Sequence, residues 1–404
     1  MRTRYGISPW IDAVPAKRRG NHPRLRGEHA ARVVIVGGGL TGCAVAQSCA
    51  AAGLAPLLLE ADRLGQGSSG HGAGLLLPDP GPAFRELTGL HGLRAARHMF
   101  QAWRRASLDA AALLRRFGVA CGLESCDSLI IGRLGDEKAL KRELDARKGA
   151  VLDVRGLTAA QARGAAALET VGGLRQSGAF TFDPYRAALG LAKSAVARGA
   201  TLFERTPVRR VRFGRRHAEV AVAGGVVRAE TVIICTGLAT AEFKPLRRHF
   251  KSRETYLVLT EPVPATVRRQ MGPRELVLAD MGEPRQSIRW TRDGRVLVAG
   301  ADRDQTPARQ REAVRVQRTG QLMYELLLKY PFISGLRPEF GWESSYGRTA
   351  DGLPYVGPHR NYPHHLFALG GEASATGAFL AARVLARVAA GAPAKGDDLF
   401  GWTR

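Results

Sequence analysis

Three glycines with the spacing GxGxxG, Gly37, Gly39 and Gly42, follow directly on the apolar run Val33-Val34-Ile35-Val36. The first glycine permits a sharp turn, the second lets the backbone approach a pyrophosphate closely, and the third lets the next helix pack against the sheet. Leu40 and Thr41 open that helix, so its amides and the positive end of its dipole face the phosphates. Glu60 stands 23 residues beyond Gly37, at the end of the next apolar run. There its carboxylate can accept hydrogen bonds from a ribose. The loop alone signals a dinucleotide, with nicotinamide and flavin equally open.

Such a loop works only between a strand and a helix. Residues 32–36 predict the strand, the alanine-rich residues 40–51 the helix, and residues 55–60 a second parallel strand. Residues 83–120 carry apolar side chains at helical spacing, among them Leu90, Leu93, Ala96, Met99 and Trp103, with arginines opposite. Asp183 and Pro184 are the cap and first residue of a helix running to residue 197. Strands are predicted over 201–203, 208–213, 220–222 and 231–237, the last ending on Cys235-Thr236-Gly237. Residues 255–260, 286–291 and 295–300, the last after an Asp293-Gly294 turn, predict an antiparallel sheet. A helix over 311–328, a return through 342–356, the run 366–370 and a helix over 374–390 complete the chain.

At 404 residues, with 45% hydrophobic and 24% charged residues, the chain can bury a large core and exceeds one ordinary domain. Its 60 Lys and Arg against 36 Asp and Glu leave a net charge of +24. The basic residues are dispersed in short runs such as Lys17-Arg18-Arg19, Arg209-Arg210 and Arg247-Arg248. Without aromatic interleaving or zinc spacing they predict a solvated arginine-rich surface, with no nucleic-acid partner and no metal. The five cysteines, Cys43, Cys49, Cys121, Cys126 and Cys235, are odd in number, and three lie in apolar stretches. This implies a reducing compartment without a disulfide framework, with a cytoplasmic location as the default. Glycines interrupt residues 32–59, so no transmembrane segment is expected. Residues 1–30 are basic and contain prolines; they predict an arm lying on the surface, with a targeting segment as the alternative.

Beyond Glu60-Ala61 comes a small-residue stretch, Gly65-Gln-Gly-Ser68-Ser69-Gly-His71-Gly72-Ala73-Gly74-Leu75, able to lie flat beside a ring system. Here the chain resembles the FAD-dependent glycine/D-amino-acid oxidase (DAO) family, which includes sarcosine oxidases and dimethylglycine dehydrogenase-like enzymes. Three later blocks carry the likeness: Thr206-Pro207-Val208, Cys235-Thr236-Gly237, and Thr349-Ala-Asp-Gly-Leu-Pro-Tyr-Val-Gly357 with Gly370-Gly371 and Thr376-Gly377. The resemblance runs from residue 32 to about residue 390. It implies an α/β fold in which a Rossmann-like FAD-binding domain with a parallel sheet is intertwined with an α+β substrate domain on an antiparallel sheet. The division expected is a basic arm (1–30), a discontinuous FAD-binding domain (31–85, 181–245, 342–392), a substrate or cap domain (86–180, 246–341) and a tail (393–404).

The resemblance implies that Val208 meets the adenine and Thr236 and Gly237 lie near the pyrophosphate. Gly370, Gly371, Thr376 and Gly377 belong to its flavin-binding block, where a helix start aims amides at the flavin pyrimidine. His71 matches a histidine that some relatives bond covalently to the flavin; many others bind FAD non-covalently, and both remain open. The implied chemistry is hydride transfer from an amine-bearing carbon to flavin N5, giving an imine, with oxygen or another acceptor taking up the electrons. Amino-acid oxidases of the family carry a carboxylate-binding arginine on the strand before Asp-Gly-Leu-Pro. Here that position is Tyr346. Arg348, on the same face of the strand, and Arg289 are the other candidates for touching substrate. Two alternatives stand beside an amine or amino-acid oxidase: a nicotinamide-dependent dehydrogenase using only the first unit, and a non-catalytic flavin-binding scaffold for an acidic partner. The substrate and oligomeric state are left open.

Overall fold

The computed structural model describes residues 2–282, 285–371 and 375–404. Its centre is a parallel sheet in the order His365–Leu369, Gly225–Gly237, Gly27–Val36, Leu57–Leu59, Thr201–Phe203. Val33, Val34 and Ile35 are fully buried. Val33 and Ile35 join the core under the helices Leu40–Ala51, Pro184–Val196 and Thr376–Ala389. Val34 joins a second core on the opposite face, with Phe203, Val232 and Phe367. Burial on both faces explains why this strand is a continuous apolar run instead of an alternating one. The helix start predicted at Ser374 lies outside the described residues, and the helix is described from Thr376.

The second sheet runs in the order Arg4–Tyr5, Pro338–Arg348, Lys251–Thr260, Val296–Asp304, Ser287–Trp290, Leu276–Asp280, Glu124–Gly132, Gly172–Thr181, Leu75–Leu76. It is antiparallel except where Arg4–Tyr5 meets Pro338–Arg348 and where Leu276–Asp280 meets Glu124–Gly132, both parallel. The helix Arg311–Lys329 covers one face, burying Val314, Leu322 and Leu326 against Tyr256, Val258 and Val298. The Asp293-Gly294 turn joins two of its strands as predicted, with Gly294 at φ 80°.

Several boundaries move. Residues 2–30 do more than lie on the surface: Arg4–Tyr5 adds a strand, Ser8 is fully buried and Ile11, Val14 and Leu25 enter hydrophobic cores. The strand predicted from residue 32 begins at Gly27, because Gly225–Ala229 offers it a parallel partner. The helical stretch 83–120 splits at Gly92 (φ 80°) into Phe84–His91 and Leu93–Arg116. The longer piece buries Ala96, Met99, Phe100, Trp103 and Leu114 in the core of the parallel sheet and its helices. Conversely, Pro338–Arg348 and Leu75–Leu76 hydrogen-bond into the second sheet. The last residues are packed: Trp402 stacks on Tyr355 at 4.5 Å, and Arg404 binds Asp351 at 2.7 Å. No helix among the described residues is long and apolar enough to cross a membrane.

Asp183 caps the helix Pro184–Val196 as predicted, accepting the Arg186 amide at 2.9 Å. Burial pushes its carboxyl up to about 6, against the pull of the Arg186 amide and the Arg186 and Arg289 charges. A folded-state value above the unfolded one means that ionisation costs stability as pH rises from about 4 through 6. Asn caps equally well without that cost. Asp183→Asn is therefore expected to raise stability at pH 7 by about 1–3 kcal/mol, a gain that vanishes below about pH 4, as read by thermal melts across pH.

Candidate flavin and substrate site

The turn from strand to helix is closed by backbone against backbone. Gly37 (φ 104°) donates its N–H to the Leu59 carbonyl at 2.8 Å. A methyl group on Gly42 would lie 1.8 Å from the Gly37 carbonyl oxygen, and one on Gly37 would lie 2.6 Å from that of Cys235. Gly39 caps the helix Leu40–Ala51 without a side-chain hydrogen bond, and its first turn holds no acidic residue. Ser69 Oγ accepts the Leu40 amide at 2.7 Å; an approaching anion meets the rest of the first turn. Glu60 accepts the Gly38 amide at 2.6 Å and the Asp62 amide at 2.9 Å. These bonds fix its orientation while leaving lone pairs for ribose hydroxyls.

From this turn a cavity extends between the two sheets. Leu40, Thr41, Ser68, Ser69, Gly72, Ala73 and Gly74 line one side, and Thr236, Gly237, Gly370, Gly371 and Gly377 another. The two glycine turns are tied to each other, Gly370 N–H to the Gly237 carbonyl at 2.8 Å and Gly371 N–H to that of Gly347 at 3.0 Å. The helix Thr376–Ala389 also starts at the cavity, through Ala375, Gly377 and Ala378. Thr376 itself turns away: its hydroxyl donates to the Leu77 carbonyl at 2.9 Å. Two helices whose first turns hold no acidic residue thus meet one long cavity. An elongated ligand, anionic at one end and with electron-rich carbonyls at the other, fits that arrangement.

The segment 68–72 is stitched in place from two sides. Ser68 Oγ donates to the Ser345 carbonyl at 2.7 Å, and Trp342 Nε1 donates to that of His71 at 2.9 Å. From the N-terminal segment, Ser8 Oγ donates to the Gly70 carbonyl and Trp10 Nε1 to that of Gly72 at 2.9 Å. His71 is not among the residues lining the cavity; its Nδ1 sits 3.0 Å from the Gly67 carbonyl oxygen. Glu60, Ala61 and Val208 do not line this cavity, and Glu60 is held against the turn by the Gly38 amide. The Thr206 amide donates to the Glu60 carbonyl at 2.8 Å, which ties the segment before Val208 to that strand end.

A second cavity shares Ala73, Thr255, Ala299 and Tyr346 with the first and continues past Leu75, Ile130, Val277, Arg285, Asp302 and Arg348. Tyr346 and Arg348 therefore both reach it, as their shared strand face predicts. Arg289 does not line either cavity. It lies beneath the loop, donating Nε to the Ala73 carbonyl at 2.8 Å, and faces a separate cleft with Trp10 and Asp183. Burial pulls its guanidinium down to about 10, so it is still charged at neutral pH.

The sequence model for FAD-dependent oxidoreductases of the DAO type matches residues 32–388. The chain belongs to that family. Among curated relatives, the probable oxidoreductase OrdL of Haemophilus influenzae is 26% identical over 205 residues, which are 50% of this chain and 45% of that protein. The chain thus spans under half of that relative's length. The gamma-glutamylputrescine oxidoreductase of Escherichia coli is 22% identical over 80% of this chain and 76% of its own. Two solved structures share the fold. Glycine oxidase from Geobacillus kaustophilus gives a TM-score of 0.73 at 21% identity, over 93% of this chain and 99% of that one. L-proline dehydrogenase from P. horikoshii gives 0.76 at 16% identity, over 93% and 97%.

Within this DAO-type site the sequence missed two residues. Trp103 lines the first cavity with its indole N–H buried and unpartnered, yet its helical spacing reads only as core. Asp302 lines the second, at the end of a strand where an acidic residue reads as solvent-facing. The loop makes the sharper prediction. Gly42→Ala places a methyl group against a backbone oxygen that cannot move aside, so the purified variant should lack flavin absorbance and melt several degrees lower. Gly149→Ala, with open space around it, should do neither.

Proposed function

We propose that this protein oxidises an amine or amino acid with FAD held non-covalently. The observation that carries the reading is the junction of the two cavities: a long slot met by two helix starts opens, through Ala73, Thr255, Ala299 and Tyr346, into a smaller chamber that bears charged groups. Gly37, Gly39, Leu40, Thr41 and Gly42 would hold the pyrophosphate, with Thr236 and Gly237 alongside; Glu60 and Ala61 would meet the ribose and Val208 the adenine. Ser68, Ser69, Gly72, Ala73 and Gly74 would flank the ring system, and the helix start with Gly370, Gly371, Thr376 and Gly377 would face its pyrimidine. When bound, FAD supplies a two-electron acceptor for a hydride.

The chain's own residues bring the substrate to that acceptor and exclude water. The amine must arrive neutral, so that its lone pair forms the C=N bond as the hydride leaves the adjacent carbon. Water then adds to the imine, releasing a carbonyl compound and the nitrogen, and oxygen or another acceptor takes the two electrons. The names of the relatives, an oxidoreductase of gamma-glutamylputrescine, a glycine oxidase and a proline dehydrogenase, support a nitrogen-bearing substrate. The five buried free thiols support a reducing, cytoplasmic setting.

The purified protein should be yellow, and anaerobic titration with a panel of amines and amino acids should bleach it. A colourless protein that binds NAD would overturn the reading in favour of a nicotinamide enzyme. A yellow protein that no amine bleaches would favour a flavin-binding scaffold. With His71 held against Gly67, acid precipitation should leave a colourless pellet and a yellow supernatant.

A further inference from the structure

Among the described residues, four charged ones line the second cavity: Asp79, Arg285, Asp302 and Arg348. At its far end Arg147 is buried between Asp79 at 2.6 Å and Glu143 at 2.7 Å, and Arg285 lies 3.8 Å from Asp79. Asp79 and Arg285 line that wall, with Arg147 and Glu143 behind it. Outside the lining, Arg253 pairs with Asp304 at 2.9 Å. Asp302 differs from all of these. Its Oδ2 accepts the Tyr346 hydroxyl at 2.6 Å and the Thr255 hydroxyl stands close to the carboxyl, while Oδ1 is buried without a hydrogen bond of normal geometry. Arg348, on the same cavity wall, and Arg253 act on it through their charge, and neither donates a hydrogen bond to Oδ1. A buried carboxylate oxygen left unpaired is costly, and at the wall of a cavity its natural complement is a cationic donor in the ligand.

We infer that Asp302 binds a protonated amino group of the substrate, and that the substrate is an aliphatic diamine. This rests on the amine-oxidising reading above and deepens it. An ammonium offers three N–H donors, one of which meets Oδ1 while Tyr346 holds Oδ2 in place. A carboxylate beside an amine favours its charged form, so the nitrogen on Asp302 is not the one that loses its neighbouring hydride. The substrate therefore carries two nitrogens: a neutral amine in the first cavity, beside the flavin, and an ammonium in the second, which Asp302 lines. Leu75, Ile130, Val277 and Ala279 suit the methylene chain between them. Burial holds the Asp302 carboxyl above the ordinary aspartate range, despite Tyr346, Thr255 and the charges of Arg253 and Arg348. A bound cation relieves that cost.

The test compares an α,ω-diamine, the monoamine of equal chain length and the matching ω-amino acid, by anaerobic flavin reduction and steady-state kinetics on the holoenzyme. The diamine should have the lowest KM. Asp302→Asn should raise the KM for the diamine about 30-fold or more, leave kcat within about threefold, and leave the KM for the monoamine unchanged. Tyr346→Phe should shift the diamine KM in the same direction by less. On the wild-type protein alone, methylammonium, which keeps three N–H donors, should perturb the flavin spectrum and compete with the diamine, whereas acetate should not. A diamine no better than the monoamine, or an equal loss for both in Asp302→Asn, would overturn the assignment while leaving amine oxidation standing. Bleaching by no amine or amino acid at all would overturn both.

Discussion

Everything in this molecule is arranged around one close backbone approach, where the Gly37 carbonyl fills the space that a side chain at residue 42 would need. That contact sets how tightly the first strand turns into its helix, and so where the helix amides point. Because Gly37 is hydrogen-bonded to Leu59 and abuts Cys235, the turn is registered against both neighbouring strands at once. The parallel sheet could not shift by one residue without losing it. The ends of those strands carry Glu60 on one side and Thr236-Gly237 on the other, and Gly237 is bonded to Gly370. One tight turn thereby fixes the residues proposed to hold the ribose, the pyrophosphate and the far end of the cofactor.

The second sheet matters to the site through how it is fastened to the first. Its strand Pro338–Arg348 bonds to Ser68 and His71, and Gly347 bonds to Gly371. The N-terminal segment acts on the same loop from the other side, through Ser8 and Trp10. The loop 68–74 therefore has little conformational freedom left, which suits a surface against which a flat ring must lie. Beneath it, Arg289 spends its hydrogen bonds on the carbonyls of Ala73 and Trp290 and brings a buried positive charge to the back of that wall.

What could be read from the sequence follows from whether the cause is local. The glycine turn, the Asp183-Pro184 cap and the Asp293-Gly294 turn are each dictated by a few adjacent residues, and each stands where it was expected. The Asp-Gly-Leu-Pro block was legible as a motif, but not its brace. Arg404, 53 residues away, holds Asp351 and the Leu353 and Pro354 carbonyls. The strands Glu124–Gly132 and Gly172–Thr181 gave little signal, because the second is rich in glycine and each is completed by its neighbours in the sheet. The first thirty residues misled for the opposite reason. Their basic composition describes their exposed faces, whereas Ser8, Ile11 and Leu25, which tie them down, are single residues with no pattern.

The same distinction separates cofactor from substrate. A dinucleotide is held mainly by backbone amides, whose placement needs glycines at fixed spacing, and such spacing is written in the chain. A substrate is selected by side chains that converge from distant segments: Tyr346 and Asp302 meet across the sheet although 44 residues separate them. Neither residue carries a signature alone, and the arginine expected at residue 346 is replaced by a hydroxyl that serves a carboxylate. On the diamine proposal, the acid paired with Tyr346 meets the substrate where a carboxylate-binding site would use a cation, although Arg348 lines the same chamber. The sign of the charge that faces the substrate, more than the fold around it, would then decide which nitrogen compounds the chamber accepts.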